Sequence, residues 1–353
     1  MLNSLHDPHE VGLYLGVTDL ADADAFLAFA EEVDRLGYPG VSMPHSIARD
    51  FPRVDTLVML SAAAARTQRV RLNIAAIQVP LYAPVALARM LMSIDRLSKG
   101  RLEVAAGVGW VPKEFANLGI PYKERGRRTD ETLEIMQRLW SEEEVSYQGR
   151  HFTLNEVRLS PKPVQQPIPM LIGGGYHHGM QGAPGEAPRK PWNENSFKRM
   201  ARYGHGWCTA SQMGAGEAIS VFQEGMEKVR AAGREIGRVI TDDDFSIVPV
   251  LGQVLIADSR EQAVEEGRKS YAKRTAKAFY QVQSNPEFDT WIANGAFGSP
   301  EMVAEWIVPW MKIRKEVPAL KQLIVRFCSL DDVTQARRFH EQVMPLIRRE
   351  LGR

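Results

Sequence analysis

Cysteine is nearly absent from this chain: Cys208 and Cys328 are the only two. Such a pair forms neither the framework of a disulfide-stapled domain nor a Cys-x-x-Cys metal knuckle, so two reduced thiols and no metal site are expected. Excess charge is equally scarce. The 44 Lys+Arg against 43 Asp+Glu leave +1, and so balanced a chain has no overall field to draw in nucleic acid or an anionic membrane. Long hydrophobic runs are missing too, none approaching the roughly 18 residues of a spanning helix. The first residues, MLNSLHDPHE, lack the basic start and apolar stretch of a secretory leader. These absences point to a cytoplasmic protein with no nucleic-acid and no membrane partner.

The chain has enough apolar material for a core, 44% of residues against 25% charged, which is ordinary globular usage. Its 353 residues suggest two domains or one large α/β domain. Short apolar runs alternate with stretches of helical period. The expected strands are Val11–Val17, Gly40–Met43, Val70–Ile77, Arg101–Ala106, Ile168–Ile172, His205–Thr209, Ile247–Ile256 and Gln322–Cys328. Most are nearly continuous in apolar or small residues, as parallel strands covered on both faces are. Between them, residues 22–37 place Phe26, Phe29, Ala30, Val33 and Leu36 at steps of three and four, and 332–351 repeat the pattern. Eight strands separated by helices predict a (β/α)8 TIM barrel, with the surplus length in insertions near 141–167, 176–194 and 280–298. A doubly wound sheet with a small second domain is the alternative, but no linker or composition break divides residues 1–353.

In such a barrel the chemistry belongs at the C-terminal ends of the strands. The fourth strand runs into Gly107-Val108-Gly109-Trp110, where the glycines permit close approach to a flat ligand and Trp110 offers an aromatic wall. Glycines there are also ordinary turn residues. The fifth strand ends in Gly173-Gly174-Gly175, which suits either a phosphate-cradling loop or a turn into the 176–194 insertion. That insertion is rich in Gly and Pro and reads as a lid or binding loop. Its His177-His178 pair lacks the Asp, Glu or Cys set of a metal site. His45, after the second strand, is a candidate acid, base or donor, although a loop histidine is commonly just solvated. His151 reads as part of a hairpin turn. Glu124 through Glu131 read as a charged helix start, and Ser299-Pro300-Glu301 as a capped one.

Several of these stretches, in order, resemble the luciferase-like monooxygenase family, the flavin- or deazaflavin-dependent barrels related to bacterial luciferase. The carrying segments are Ala62 through Thr67, Ser93 through Leu102, Gly107 through Trp110 with Glu114-Phe115, and Glu124 through Glu131. Pro161-Lys162-Pro163, Pro167-Ile168-Pro169, Gly173–Gly175, Gly206-Trp207 and Gly298 through Glu301 follow. The run from Gly107 to Glu131 looks most like the branch that uses the deazaflavin coenzyme F420. The resemblance implies one barrel domain over 1–353, with the cofactor across the strand ends and an insertion over the mouth. The end of the third strand, at Ala75, Ala76 and Ile77, would carry a bulge with a non-prolyl cis peptide backing the ring. Gly107, Gly109 and Trp110 would line the ring. Gly173, Gly174 and Gly175, with Trp207, Cys208 and Thr209, would hold the phosphate.

The chain departs from the family where many deazaflavin members carry an Asp-His or Glu-His pair after the second strand. An ungapped match puts His45 on the acid and Ser46 on the histidine. His45 is the expected proton-transfer residue. Ser46, Phe51, Tyr82 and His177 are the expected substrate contacts. The expected activity is F420-dependent hydride transfer between coenzyme and a small organic substrate. The alternatives are an FMN-dependent monooxygenase fed by a separate reductase, a non-catalytic flavin-binding barrel, and an aldolase-like barrel that would need a strand lysine. A homodimer is the expected assembly.

Overall fold

The computed structural model describes residues 12–17, 21–48, 52–176, 191–210, 213–277, 279–283 and 285–353. Phe51, His177 and most of the 176–194 insertion lie outside the described residues. The strands are β1 (Gly12–Val17), β2 (Gly40–Met43), β3 (Arg71–Gln78), β4 (Leu102–Gly107), β5 (Val145–Gln148), β6 (Thr153–Val157), β7 (Met170–Gly173), β8 (Gly206–Ala210), β9 (Ser246–Ile256), β10 (Ala296–Gly298) and β11 (Gln322–Phe327). Neighbours run in the order β9-β11-β1-β2-β3-β4-β7-β8, and β8 pairs back onto β9. All eight pairings are parallel. Closure removes the doubly wound alternative and makes the fold a (β/α)8 barrel. β10 lies outside the ring, parallel to the end of β9.

The helices are α1 (Ala23–Arg35), α2 (Thr56–Arg66), α3 (Pro84–Leu97), α4 (Pro112–Asn117), α5 (Arg125–Ser141), α6 (Glu194–Tyr203), α7 (Ala215–Glu235), α8 (Arg260–Thr275), α9 (Phe279–Val282), α10 (Pro286–Ala293), α11 (Pro300–Lys312), α12 (Asp332–Arg338) and α13 (Met344–Glu350). Side-chain caps set several starts. Asp22 accepts from Ala25 N at 3.0 Å, and Asp55 from Leu57 N and Val58 N at 2.8 and 3.0 Å. Ser299 caps α11 with Pro300 in its first turn, as expected.

Strand boundaries differ from expectation by a residue or two. β7 starts at Met170 rather than Ile168, because Pro167 and Pro169 flank Ile168 and neither has an N–H to donate. The expected helix over 332–351 is interrupted by a π-helical turn at Phe339–Val343, just before Pro345, which cannot donate to residue 341. Insertion 141–167 contains the antiparallel β5–β6 hairpin, with His151 in its turn. Asp95 on α3 fastens this excursion: its buried carboxylate accepts from Val164 N at 2.6 Å and from the Gln165 amide and backbone at 2.7 and 3.1 Å.

Alternation along the strands divides the core. Outward faces pack on the helices, while Tyr14, Ala75, Ala105, Leu171, Cys208, Val248, Val250 and Ile324 fill the lumen. Its N-terminal half is also polar. Ser42 donates to Asn73 at 2.8 Å, Asn73 to Glu103 at 2.7 Å, and Gln322 to the Tyr14 hydroxyl at 3.0 Å. Arg71 lies 3.9 Å from Glu103 and balances its charge.

The chain ends are joined through Glu32 of α1, which accepts from Arg35 at 2.7 and 2.9 Å and from Arg337 of α12 at 2.8 Å. Arg35, then Arg337, hold its carboxyl down at about 2, against an ordinary 4.5. A depressed carboxylate stabilises the fold above its unfolded value and loses that contribution as pH falls through the folded one. Both arginines are more than half exposed, so screening limits the effect to about 1 kcal/mol. Glu32→Gln is therefore expected to lower stability by that amount at pH 7. Urea unfolding at a series of pH values should show the deficit shrinking below pH 4.5 and closing near pH 2.

Candidate active site

The mouth of the lumen takes its shape from the end of β3. Its register with β4 runs to Ala75↔Ala105 and then skips to Ile77↔Ala106, leaving Ala76 as the extra residue of a bulge. The Ala75–Ala76 peptide is cis. Ala75 belongs to the inner cluster, and Ala76 packs against it. Ile77 turns the other way, into the layer beneath the helices. It supports the bulge from behind and does not face the lumen.

Small residues of three strands meet at this bulge. A Cβ on Gly107 would lie 3.5 Å from Ala76 Cβ, and one on Gly173 would lie 3.8 Å from the same atom. The ends of β3, β4 and β7 thus leave a flat, shallow apolar floor. Gly109, at φ +75°, turns the chain upward where a Cβ would strike the Phe115 ring at 2.8 Å. Trp110 beyond it stands half exposed, and its carbonyl accepts from the Tyr122 hydroxyl at 3.1 Å. Beside Gly109 lies the buried Gln78, whose Oε1 has no hydrogen-bond partner among the described residues. An orphaned acceptor at the rim of an apolar floor suits a ligand with a ring N–H.

On the far side of the floor, Gly174 and Gly175 have φ of 106° and 89°, a region L side chains rarely adopt. Trp207 shapes this loop without entering the lumen. Its indole Nε1 donates to Gly174 O at 2.5 Å, and its ring packs edge-on against Phe197 of α6 and Phe222 of α7. Thr209 shares that outward face by alternation, whereas Cys208 points inward. The expected grouping of Trp207, Cys208 and Thr209 around a ligand is therefore divided between two faces of β8. Burial pushes the Cys208 thiol up to about 12, so it is neutral at pH 7. Asn193 N donates to Gly175 O at 2.8 Å, which brings the start of α6 beside the glycine loop.

The end of β2 supplies the polar side. His45 Nε2 and the Tyr82 hydroxyl are 2.8 Å apart, so the structure joins two residues that the sequence placed separately. Burial raises the Tyr82 hydroxyl far above its ordinary value, leaving it a protonated partner for the imidazole. Ser46 follows, also buried. The loop is held from below. Thr56 and Arg53 donate to Pro44 O at 2.9 and 3.1 Å, and the fully buried Glu114 accepts from Ile47 N at 3.2 Å. Sequence reasoning noticed the Glu114-Phe115 pair without a role for either. One buttresses the His45 loop, and the other enforces the turn at Gly109.

A closed parallel barrel with a flat apolar floor, a glycine loop at one side and a His–Tyr pair at the other has the shape to take a planar ligand at its mouth. The chain belongs to the luciferase-like monooxygenase family, whose model matches residues 5–183. It is 34% identical to an uncharacterized protein of Mycobacterium tuberculosis over 172 residues, 48% of this chain and 55% of the relative. A second mycobacterial relative is matched over 60% of its length, so the chain spans little more than half of these relatives. It is 26% identical to the FMNH(2)-dependent dimethylsulfone monooxygenase of Pseudomonas putida, across 83% of this chain and 78% of that one. Among solved structures, monooxygenase RslO1 from Streptomyces bottropensis superposes with a TM-score of 0.72 at 23% identity, covering 95% of this chain and 99% of that one. An F420-dependent secondary alcohol dehydrogenase, solved with an F420-acetone adduct, gives 0.71 at 17% identity, covering 96% and 99%. Among the described residues no acidic, histidine or cysteine cluster is arranged for a metal, and no helix is long and apolar enough to cross a membrane.

Glu114→Ala removes the acceptor that Ile47 N uses in the His45 loop. It is expected to cost about 1–2 kcal/mol in urea unfolding, whereas Glu114→Gln, which keeps an acceptor, should lose less than half of that.

Proposed function

We propose that the chain is a redox enzyme that binds a deazaflavin coenzyme of the F420 type at the barrel mouth and moves a hydride between it and a small organic substrate. The observation that carries this reading is the His45–Tyr82 pair at the edge of the Ala76–Gly107–Gly173 floor. The floor accepts a flat ring without a side chain in the way. Gln78 offers an acceptor for a ring N–H, and the Gly173–Gly175 loop beside the start of α6 suits a phosphate. Bound there, the coenzyme supplies the two-electron chemistry.

Hydride exchange at a carbonyl or carbinol carbon needs a proton delivered to or taken from the oxygen. His45 Nε2 is the atom assigned that proton, with the Tyr82 hydroxyl fixing the ring and relaying hydrogen bonds to the substrate oxygen. Ser46, Phe51, Tyr82 and His177 are proposed substrate contacts, and Trp110 a wall of the opening. A homodimer is the proposed assembly, and the cytoplasm the proposed compartment.

A second reading, FMN-dependent oxygenation with a separate reductase, is favoured by the likeness to the dimethylsulfone monooxygenase along 83% of this chain. Dioxygen activation needs a true flavin, so cofactor identity separates the two. Titrating the apo-protein with coenzyme F420 and with FMN, followed by fluorescence, decides. Tight F420 with weak FMN binding is expected, and the reverse order sinks the hydride reading.

Two substitutions test the site itself. Gly107→Ala places a methyl at ordinary contact distance from Ala76. It should leave thermal unfolding unchanged while weakening binding of the bound coenzyme by about tenfold or more. His45→Ala should lower turnover by about 10²–10⁴-fold with coenzyme affinity nearly unaltered.

A further inference from the structure

One charged group in the lumen belongs neither to the polar network of its N-terminal half nor to the His45–Tyr82 pair. Arg326 lies on β11, opposite Gly16 of β1, yet its guanidinium acts on β3. Nη2 donates to Ala75 O at 2.6 Å, at the bulge itself. The stem reaches it by passing over β1, where Gly16 leaves room. A Cβ there would come within 3.4 Å of Arg326 Cγ and 2.8 Å of Ser42 O. Two strands are thus fitted around an arginine crossing the mouth of the barrel.

The charge it delivers is not balanced by any described residue. Glu103, the carboxylate of the N-terminal half of the lumen, is taken up by Arg71 and Asn73, and among the described residues no carboxylate pairs with Arg326. Its Nε is buried with no hydrogen-bond partner. The titratable group that interacts with it is the Cys208 thiol, which is neutral at pH 7. Burial pushes the guanidinium down to about 10, still protonated at neutral pH. A partly buried cation whose Nε is shut off from water without a partner is costly to fold around. Proteins break the rule of pairing buried charge chiefly at functional sites, where a ligand completes the pair.

We propose that Arg326 is the counter-charge for an anionic ring bound on the Ala75–Ala76 floor, stabilising the charged form of the ligand over its neutral form. The ring chemistry is that of a fused pyrimidinedione whose anion is delocalised: reduced FMN near neutral pH, or the 8-hydroxydeazaflavin of coenzyme F420 after loss of its phenolic proton. The inference rests on the lumen being the cofactor site, and it adds a group that distinguishes ligand charge from ligand shape.

The test compares wild type with Arg326→Met and Arg326→Lys. Dissociation constants for oxidised FMN and for dithionite-reduced FMN are measured without oxygen. In parallel, the phenol pKa of bound F420 is read from its absorbance. Arg326→Met is expected to weaken reduced FMN by about tenfold or more and oxidised FMN by less than about threefold. The tenfold part corresponds to a midpoint potential about 30 mV more negative for the two-electron couple. The phenol pKa of bound F420 should rise by about one unit. Arg326→Lys, which keeps the charge on a shorter fork, should fall between the two. Because no carboxylate is orphaned, Arg326→Met should unfold at the wild-type temperature or above it. Equal weakening of the oxidised and reduced forms, or a lysine variant that behaves as methionine, overturns the role given to Arg326 and leaves the cofactor site standing. A wild-type protein that binds neither FMN nor F420 overturns both.

Discussion

Closure of the parallel sheet, where β8 pairs onto β9, is the constraint on which the remainder of the molecule depends. A closed ring of parallel strands has no edge, so its strand N–H and C=O groups find partners on neighbouring strands except where the register shifts, as at Ala76. The same closure forces alternate side chains into a lumen too narrow to hold water freely. The interior must therefore be filled or deliberately left open, and this chain does both. Tyr14, Arg71, Asn73, Glu103 and Gln322 fill the N-terminal half with a connected polar network. Gly16, Ala75, Ala76, Gly107 and Gly173 keep the opposite half shallow.

That division separates stability from chemistry along one axis. Below, the polar side chains are linked to one another, and Arg71 stands against Glu103. Above, polar atoms are left unsatisfied at two places on either side of the Ala76 bulge, Gln78 Oε1 and Arg326 Nε. Buried polar atoms without partners are rare in folded proteins. Gln78 Oε1 and Arg326 Nε are the two that flank the apolar floor on which the proposed ligand would lie. The hydrogen bond from Arg326 to Ala75 O then ties the cation to the floor it serves.

Support for the mouth comes from residues that never face it. Trp207 holds the Gly174 carbonyl from the helix layer, Glu114 gathers the backbone behind His45, and Phe115 leaves Gly109 no room for a side chain. Glu114 and Phe115 are neighbours on α4 and Trp207 lies on β8, so two elements of the wall hold the loops of the mouth. Rigid support of this kind is what holds a hydrogen-bonded pair such as His45 and Tyr82 in register.

Much of this was legible in the sequence, for local reasons. The strands announce themselves because both faces of a parallel barrel strand are buried, giving short apolar runs, and the helices because one face is, giving steps of three and four. Gly107, Gly109 and Gly173 through Gly175 stand at strand ends where their lack of a Cβ is visible in the residue type itself. Ala75 and Ala76 were singled out through family likeness, and the register shift at β3 shows why small residues belong there. What the sequence did not reveal is what crosses the lumen. Alternation says which face a residue occupies only once the register is known, so Trp207 and Ile77 were grouped with the lumen although they face the helix layer. Arg326 and Gln78 gave no signal at all, since an arginine in an apolar strand and a glutamine at its end are unremarked until closure sets them around one bulge. His45 and Tyr82 are 37 residues apart. Only the pairing of β2 with β3 brings them within a hydrogen bond of each other, because a contact between strand ends is a property of the sheet and not of either segment.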